Sequence, residues 1–190
     1  AGTVDQASVA RSWAPKVAEV LSDGPSWYVA VPSVEPLVTC VASFDHPLLG
    51  TRAVSHDASP DAFARDVAPA RTFGFADEVE RLRQAGLALG GSLDNALVIY
   101  PDRFSSPLRM PDEWARHKLL DLIGDLALAG VRIEASITAI RPSHRGNVAF
   151  AALLRSRALA EDPRRAKRGR TRAGVTGQAP GSAHKENCHA

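Results

Sequence analysis

Residues 111–129 constrain the fold more than any other part of this sequence. Leu119, Leu120, Ile123 and Leu126 recur at the three- and four-residue spacing of a single helix face, a stripe that must be buried. Pro111 suits the first helical position, Asp112 and Glu113 complement the positive end of the helix dipole, and Gly130 supplies the stop. Set into the same helix are His117, Asp121 and Asp125, four residues apart, which project from one face beside the apolar stripe. An imidazole and a carboxylate one turn apart can share a zinc ion, because zinc accepts nitrogen and oxygen donors in a tetrahedral arrangement. Lys118 reaches the same side. Alone, such a set reads first as a solvated face with i,i+4 pairing. Its setting among Leu and Ile makes a purely surface role less natural.

The flanking segments read as short elements of both kinds. A helix is expected over 8–21, with Trp13, Val17, Val20 and Leu21 on one face, although Pro15 interrupts it. After the Asp23-Gly24-Pro25 turn, the β-branched and aromatic runs 27–31 and 37–44 read as two strands of a hairpin. Ser59 is placed to cap a helix opening at Pro60. Residues 71–75, an amphipathic helix over 77–84 ending at Gly86, and a buried strand over 96–100 form a small strand–helix–strand insertion. A strand follows over 131–140. Pro142 to Gly146 form a loop that carries His144, and Asn147 is expected to cap a last helix through Leu154 and on to Ala160. A loop histidine is suited to acid–base work, though most are merely exposed.

Charge is unevenly placed. Residues 161–190 hold seven Lys or Arg and three acids, leaving 16 basic and 18 acidic residues in the first 160. The pI near 8.8 therefore reflects a tail expected to be disordered rather than a basic body. The run Arg164, Arg165, Lys167, Arg168, Arg170 and Arg172 has no interleaved aromatics, so specific nucleic-acid binding is not expected; loose contact with nucleic acid or an anionic membrane stays open. No apolar run reaches the ~18 residues of a transmembrane span, and Cys40 and Cys188 are too few and too distant for a disulfide framework, which fits a reducing cytoplasm.

Three motifs occur in order: Arg-Thr-Phe-Gly-Phe at 71–75, Gly-Leu-Ala-Leu-Gly-Gly-Ser at 86–92, and Arg-His-Lys-Leu-Leu-Asp-Leu-Ile-Gly-Asp at 116–125. With Phe44-Asp45-His46-Pro47 and the Ser-His-x-x-Asn of 143–147, they resemble the second, C-terminal domain of the zinc-dependent UDP-3-O-acyl-N-acetylglucosamine deacetylases of lipid A biosynthesis. The resemblance covers roughly residues 20–155. It implies an α+β fold, a two-layer sheet-and-helix domain with a small βαβ insertion, and divides the chain into an N-terminal linker or remnant (1–22), the deacetylase domain (23–160) and the basic tail (161–190).

For the site, the resemblance implies His117 and Asp121 as zinc ligands and Thr72 as the hydroxyl that stabilises the oxyanion. His144 would support that oxyanion and protonate the leaving amine, and Asp125 would orient His144. Lys118 and Ser92 would contact substrate, while Phe73, Phe75 and the 77–100 insertion would line the passage for the acyl chain. The implied activity is zinc-dependent hydrolysis of the acetamide of UDP-3-O-acyl-N-acetylglucosamine in the cytoplasm. The family's third ligand and general base come as an adjacent Glu-His in a first domain, and no Glu-His dipeptide occurs here. A first domain, covalent or separate, is thus the implied partner. The alternative is a catalytically inactive remnant that binds a nucleotide-sugar, an acyl chain or a protein.

Overall fold

The computed structural model describes residues 11–57, 59–87 and 90–162. Its centre is a five-stranded sheet built from β2 (Glu19–Asp23), β3 (Ser26–Pro32), β4 (Val38–Phe44), β5 (Gly50–His56) and β9 (Ala135–Ile140), in the spatial order β2-β3-β9-β4-β5. Strand β9 is antiparallel to β3 and parallel to β4. Two short additions flank it: β1 (Ser12–Trp13) beside β8 (Arg132–Ile133), and the parallel pair β6 (Thr72–Phe75) and β7 (Ala96–Ile99). The helices are α1 (Pro60–Asp66), α2 (Ala76–Gln84), α3 (Glu113–Leu126) and α4 (His144–Ala160).

The α+β architecture and the strand–helix–strand insertion β6-α2-β7 are as the sequence leads one to expect. The inner face of the sheet carries Tyr28, Ala30, Cys40, Ala42, Ile137 and Ala139, all buried. Against them lie Leu119 and Leu122 of α3 and Phe150 and Leu154 of α4, each fully buried in one continuous core. Small side chains at the sheet centre let the helices sit close. Each large apolar side chain withdrawn from water there is worth about 1.5–3 kcal/mol.

Four local expectations are corrected. Residues 12–13 and 19–23 are strands, not one helix: Pro15 blocks helical pairing, and β2 alternates in exposure as a half-buried edge strand does. The segments β3 and β4 do not form a hairpin with each other. Each finds a sequential antiparallel partner, β2 and β5, and the doubly apolar β9 enters between them. Helix α3 starts two residues after Pro111, from an Asp112 held in the left-handed conformation (φ 55°), with no side-chain cap. Finally, Asn147 does not cap α4. The helix begins at His144, the Ser143 hydroxyl accepts from the Gly146 N–H, and Asn147 lies buried in the first turn.

Ser59 does cap α1, accepting from the Ala62 N–H at 3.1 Å. Gly130 does end the α3 segment, after a 3-10 turn over Ala127–Ala129, at a φ of 64° that costs glycine little. Most of the basic tail lies outside the described residues. No described helix is long and apolar enough to cross a membrane.

Candidate active site

Helix α3 carries the site on one face because its residues one turn apart stack above each other. His117 Nε2 lies 3.4 Å from Asp121 Oδ1, and Lys118 Nζ donates to Asp121 Oδ2 at 3.0 Å. These side chains are mostly buried, at 16%, 12% and 14% exposure for His117, Asp121 and Lys118. His117 Nδ1 is 3.1 Å from the Ala70 carbonyl, which can only accept, so Nδ1 bears a proton and Nε2 is the ring nitrogen that faces Asp121.

His144, first residue of α4, closes the other side. Its Nδ1 is 2.8 Å from Asp125 Oδ2, and its Nε2 is 3.7 Å from Asp121 Oδ2. The ring itself is 68% exposed. Asp125 Oδ2 also accepts from Asn147 Nδ2 at 2.9 Å, so a buried amide holds the carboxylate that holds the imidazole. The Asn147 Oδ1 atom is buried without a protein partner. The sequence pointed to His117, Asp121, Asp125, Lys118 and His144, and the fold brings all five together.

Thr72 opens β6 at an exposed position, and its two predecessors are tied to α3. Phe73 and Phe75 pack around Phe44, which also meets Trp114 edge-on, and Phe73 stands 6.3 Å from the His117 ring. Ser92 is further out. Its hydroxyl accepts from the Asp94 N–H within a turn, beside a cavity of about 230 Å³ lined by Gly74, Val79, Leu93 and Leu97. An open groove of about 580 Å³ adjoins Lys118, with Phe44, Asp45, Arg141, Ser143 and Arg145 on its walls.

The largest group missed from sequence is the Arg71–Glu113 pair. Arg71 Nε donates to Glu113 Oε1 at 2.8 Å and an NH2 of the same guanidinium donates to Oε2 at 2.9 Å. The remaining donors reach the Leu93 and Pro107 carbonyls and the Ser106 hydroxyl. One guanidinium thereby ties both ends of the insertion to the start of α3. Burial pushes the Glu113 carboxyl up, but hydrogen bonds from Arg71 and from the Arg109 and Arg71 N–H groups outweigh it and hold it down at about 2. The signal available in sequence was an Arg before Thr72 and a Glu four residues before His117; nothing there indicated that they meet. Cys40 is buried in the core, and burial pushes its thiol up to about 12.

Residues 1–156 match the family model described as UDP-3-O-acyl N-acetylglycosamine deacetylase. The chain belongs to that family. Among its relatives are the UDP-3-O-acyl-N-acetylglucosamine deacetylase of Anaeromyxobacter sp., 50% identical over 118 residues (60% of this chain, 38% of the relative), and that of Synechocystis sp., 51% identical over 104 residues (53% and 38%). The Campylobacter jejuni protein of the same name is 38% identical over 152 residues, 76% of this chain and 52% of its own length. The deacetylase-family chain thus spans between two fifths and about half the length of these curated relatives.

Proposed function

We propose that this chain is the C-terminal, metal-carrying half of a cytoplasmic zinc-dependent hydrolase that deacetylates UDP-3-O-acyl-N-acetylglucosamine in lipid A biosynthesis. The observation that carries the proposal is the unbroken row His117–Asp121–His144–Asp125, in which each side chain meets the next at 3.7 Å or less. His117 and Asp121 fit two corners of a zinc site: one presents Nε2, the other a carboxylate oxygen facing it at 3.4 Å. Among the described residues no three His, Cys, Asp or Glu side chains gather to hold a metal. The family resemblance is what assigns the third ligand and the general base to a first domain, joined or separate.

Zinc held by His117 and Asp121 would supply an activated water and polarise the acetamide carbonyl. The chain's own residues do the rest. Thr72 donates its hydroxyl to the developing oxyanion. His144, aligned by Asp125, gives a proton from Nε2 to the departing amine. Lys118 and Ser92 contact polar groups of the substrate, and Phe73, Phe75 and the β6-α2-β7 insertion shelter the acyl chain.

The test is zinc stoichiometry and affinity of the full chain, alone and mixed with a first domain from a related deacetylase. Weak binding alone, tight binding in the mixture and appearance of deacetylase activity support the proposal. Loose zinc and an inert mixture refute it in favour of a non-catalytic module that binds a nucleotide-sugar, an acyl chain or a protein.

A further inference from the structure

Strand β3 turns three consecutive inward side chains toward the helices: Ser26, Tyr28 and Ala30, each 3% exposed or less. A buried hydroxyl must be hydrogen-bonded, and both of these reach the same distant segment. Ser26 Oγ donates to the Arg141 carbonyl at 2.6 Å. The Tyr28 hydroxyl accepts from the Ser143 N–H at 3.0 Å and donates to the Ser143 carbonyl at 3.3 Å. The β3–β9 ladder stops at Trp27 opposite Ile140, so the two hydroxyls take over where strand pairing ends.

That handover falls on a strained stretch. Arg141 has a φ of 51°, a conformation uncommon for a residue with a side chain, and its N–H is held by the Val41 carbonyl. The chain must leave β9, reverse, and enter α4 within three residues, with His144 as the first helical residue. Gly146 is cut to fit the same device. A Cβ there would sit 2.3 Å from the Tyr28 oxygen, so the phenol passes directly under the first turn of α4. Below, the Tyr28 ring stacks on Phe150 with centroids 5.4 Å apart.

We propose that Tyr28, assisted by Ser26, is a positioning residue for His144. The ring of His144 is aimed by Asp125, whereas its backbone is fixed by the two strand hydroxyls that grip residues 141 and 143. The part of this role that concerns catalysis rests on the deacetylase reading; the mechanical part does not. Packing alone does not call for the hydroxyl, because phenylalanine would stack on Phe150 equally well.

The experiment compares Tyr28→Phe, and separately Ser26→Ala, with the full chain by NMR, before any assay. Tyr28→Phe removes both hydrogen bonds to Ser143, and loss of the one made by its N–H corresponds to about a tenfold change in the local equilibrium that amide exchange reads. In Tyr28→Phe the Ser143 amide should therefore exchange about tenfold faster, amides of the β3–β9 ladder should keep their rates, and the His144 Nδ1–H resonance should move. An unchanged Ser143 rate and an unchanged ring resonance would overturn the proposal. In a mixture with a first domain, Tyr28→Phe should lower kcat by tenfold or more with KM retained. A raised KM with kcat retained would overturn the positioning role. If the unmutated mixture is inert, the deacetylase reading fails, and the NMR comparison still decides whether the clamp exists.

Discussion

Replacing Glu113 by glutamine removes one charge from the most buried ionic contact described. Glu113 and Arg71 have side-chain exposures of 0% and 4%, and the carboxylate accepts from the Arg71 side chain, the Arg71 N–H and the Arg109 N–H. Its folded value of about 2 lies below the ordinary 4.5, so its contribution is complete above about pH 5 and is lost as the pH falls toward 2. At 1.36 kcal/mol per tenfold change in proton affinity, that gap corresponds to roughly 3 kcal/mol. A second route gives a similar size: removing one partner of a buried pair strands the other charge and costs about 3–5 kcal/mol. Urea unfolding of the full chain at pH 7 should therefore show Glu113→Gln destabilised by about 3 kcal/mol. The deficit should shrink as the pH is lowered from 5 toward 3, because the carboxylate of the unfolded chain then takes up a proton that the folded one, held at about 2, does not. A loss below about 1 kcal/mol at pH 7, or a deficit that does not change with pH, would refute the reasoning. In an Arg71→Met background the same substitution should cost less, since the stranded cation is gone.

Other outcomes follow from the site. His117→Ala and Asp121→Ala should each abolish tight zinc binding in the complemented protein, measured by metal analysis after dialysis, whereas His144→Ala should keep the metal and lose turnover; a metal-free His144→Ala protein would contradict the assignment. Gly146→Ala drives a methyl group to 2.3 Å from the Tyr28 oxygen and should lower stability by about 1–3 kcal/mol in thermal or urea unfolding, and an unchanged midpoint would mean that the turn yields freely.

What could be read in the sequence was whatever is periodic or local. The stripe of α3, the cap at Ser59, the stop at Gly130 and the grouping of His117 with Asp121 all depend on neighbours within a turn. The omissions and errors lay where a distant partner decides. Glu113 is the first-turn acid the sequence shows, but its pairing with Arg71, from 42 residues earlier in the chain, has no local signal. Asn147 has the right side chain for a cap, yet the carboxylate of Asp125 claims its amide. The runs that became β3 and β4 are close in sequence and well suited to pair. A strand formed almost a hundred residues later separates them, because its inner face of Ala135, Ile137 and Ala139 needs neighbours on both edges. Residues 19–23 show the reverse case. Their apolar residues fit a helical spacing on paper, but Pro15 upstream and the turn at Gly24 leave room only for an edge strand.

The two histidines are held in the same way and differ in what holds them. Each is pinned through Nδ1 and presents Nε2 to the common space around Asp121. His117 is pinned by a backbone carbonyl, a neutral acceptor that places a proton on Nδ1. His144 is pinned by the Asp125 carboxylate, the partner that suits the acid–base role proposed for it. Asp121 stands between them and divides its oxygens, Oδ1 toward His117 and Oδ2 toward Lys118 and His144. On the proposed roles, a metal on the Oδ1 side would leave the Lys118 contact on Oδ2 undisturbed. The four-residue spacing of α3 is what makes this division possible: it sets His117, Asp121 and Asp125 on successive turns, so that one imidazole from another helix can span the last two.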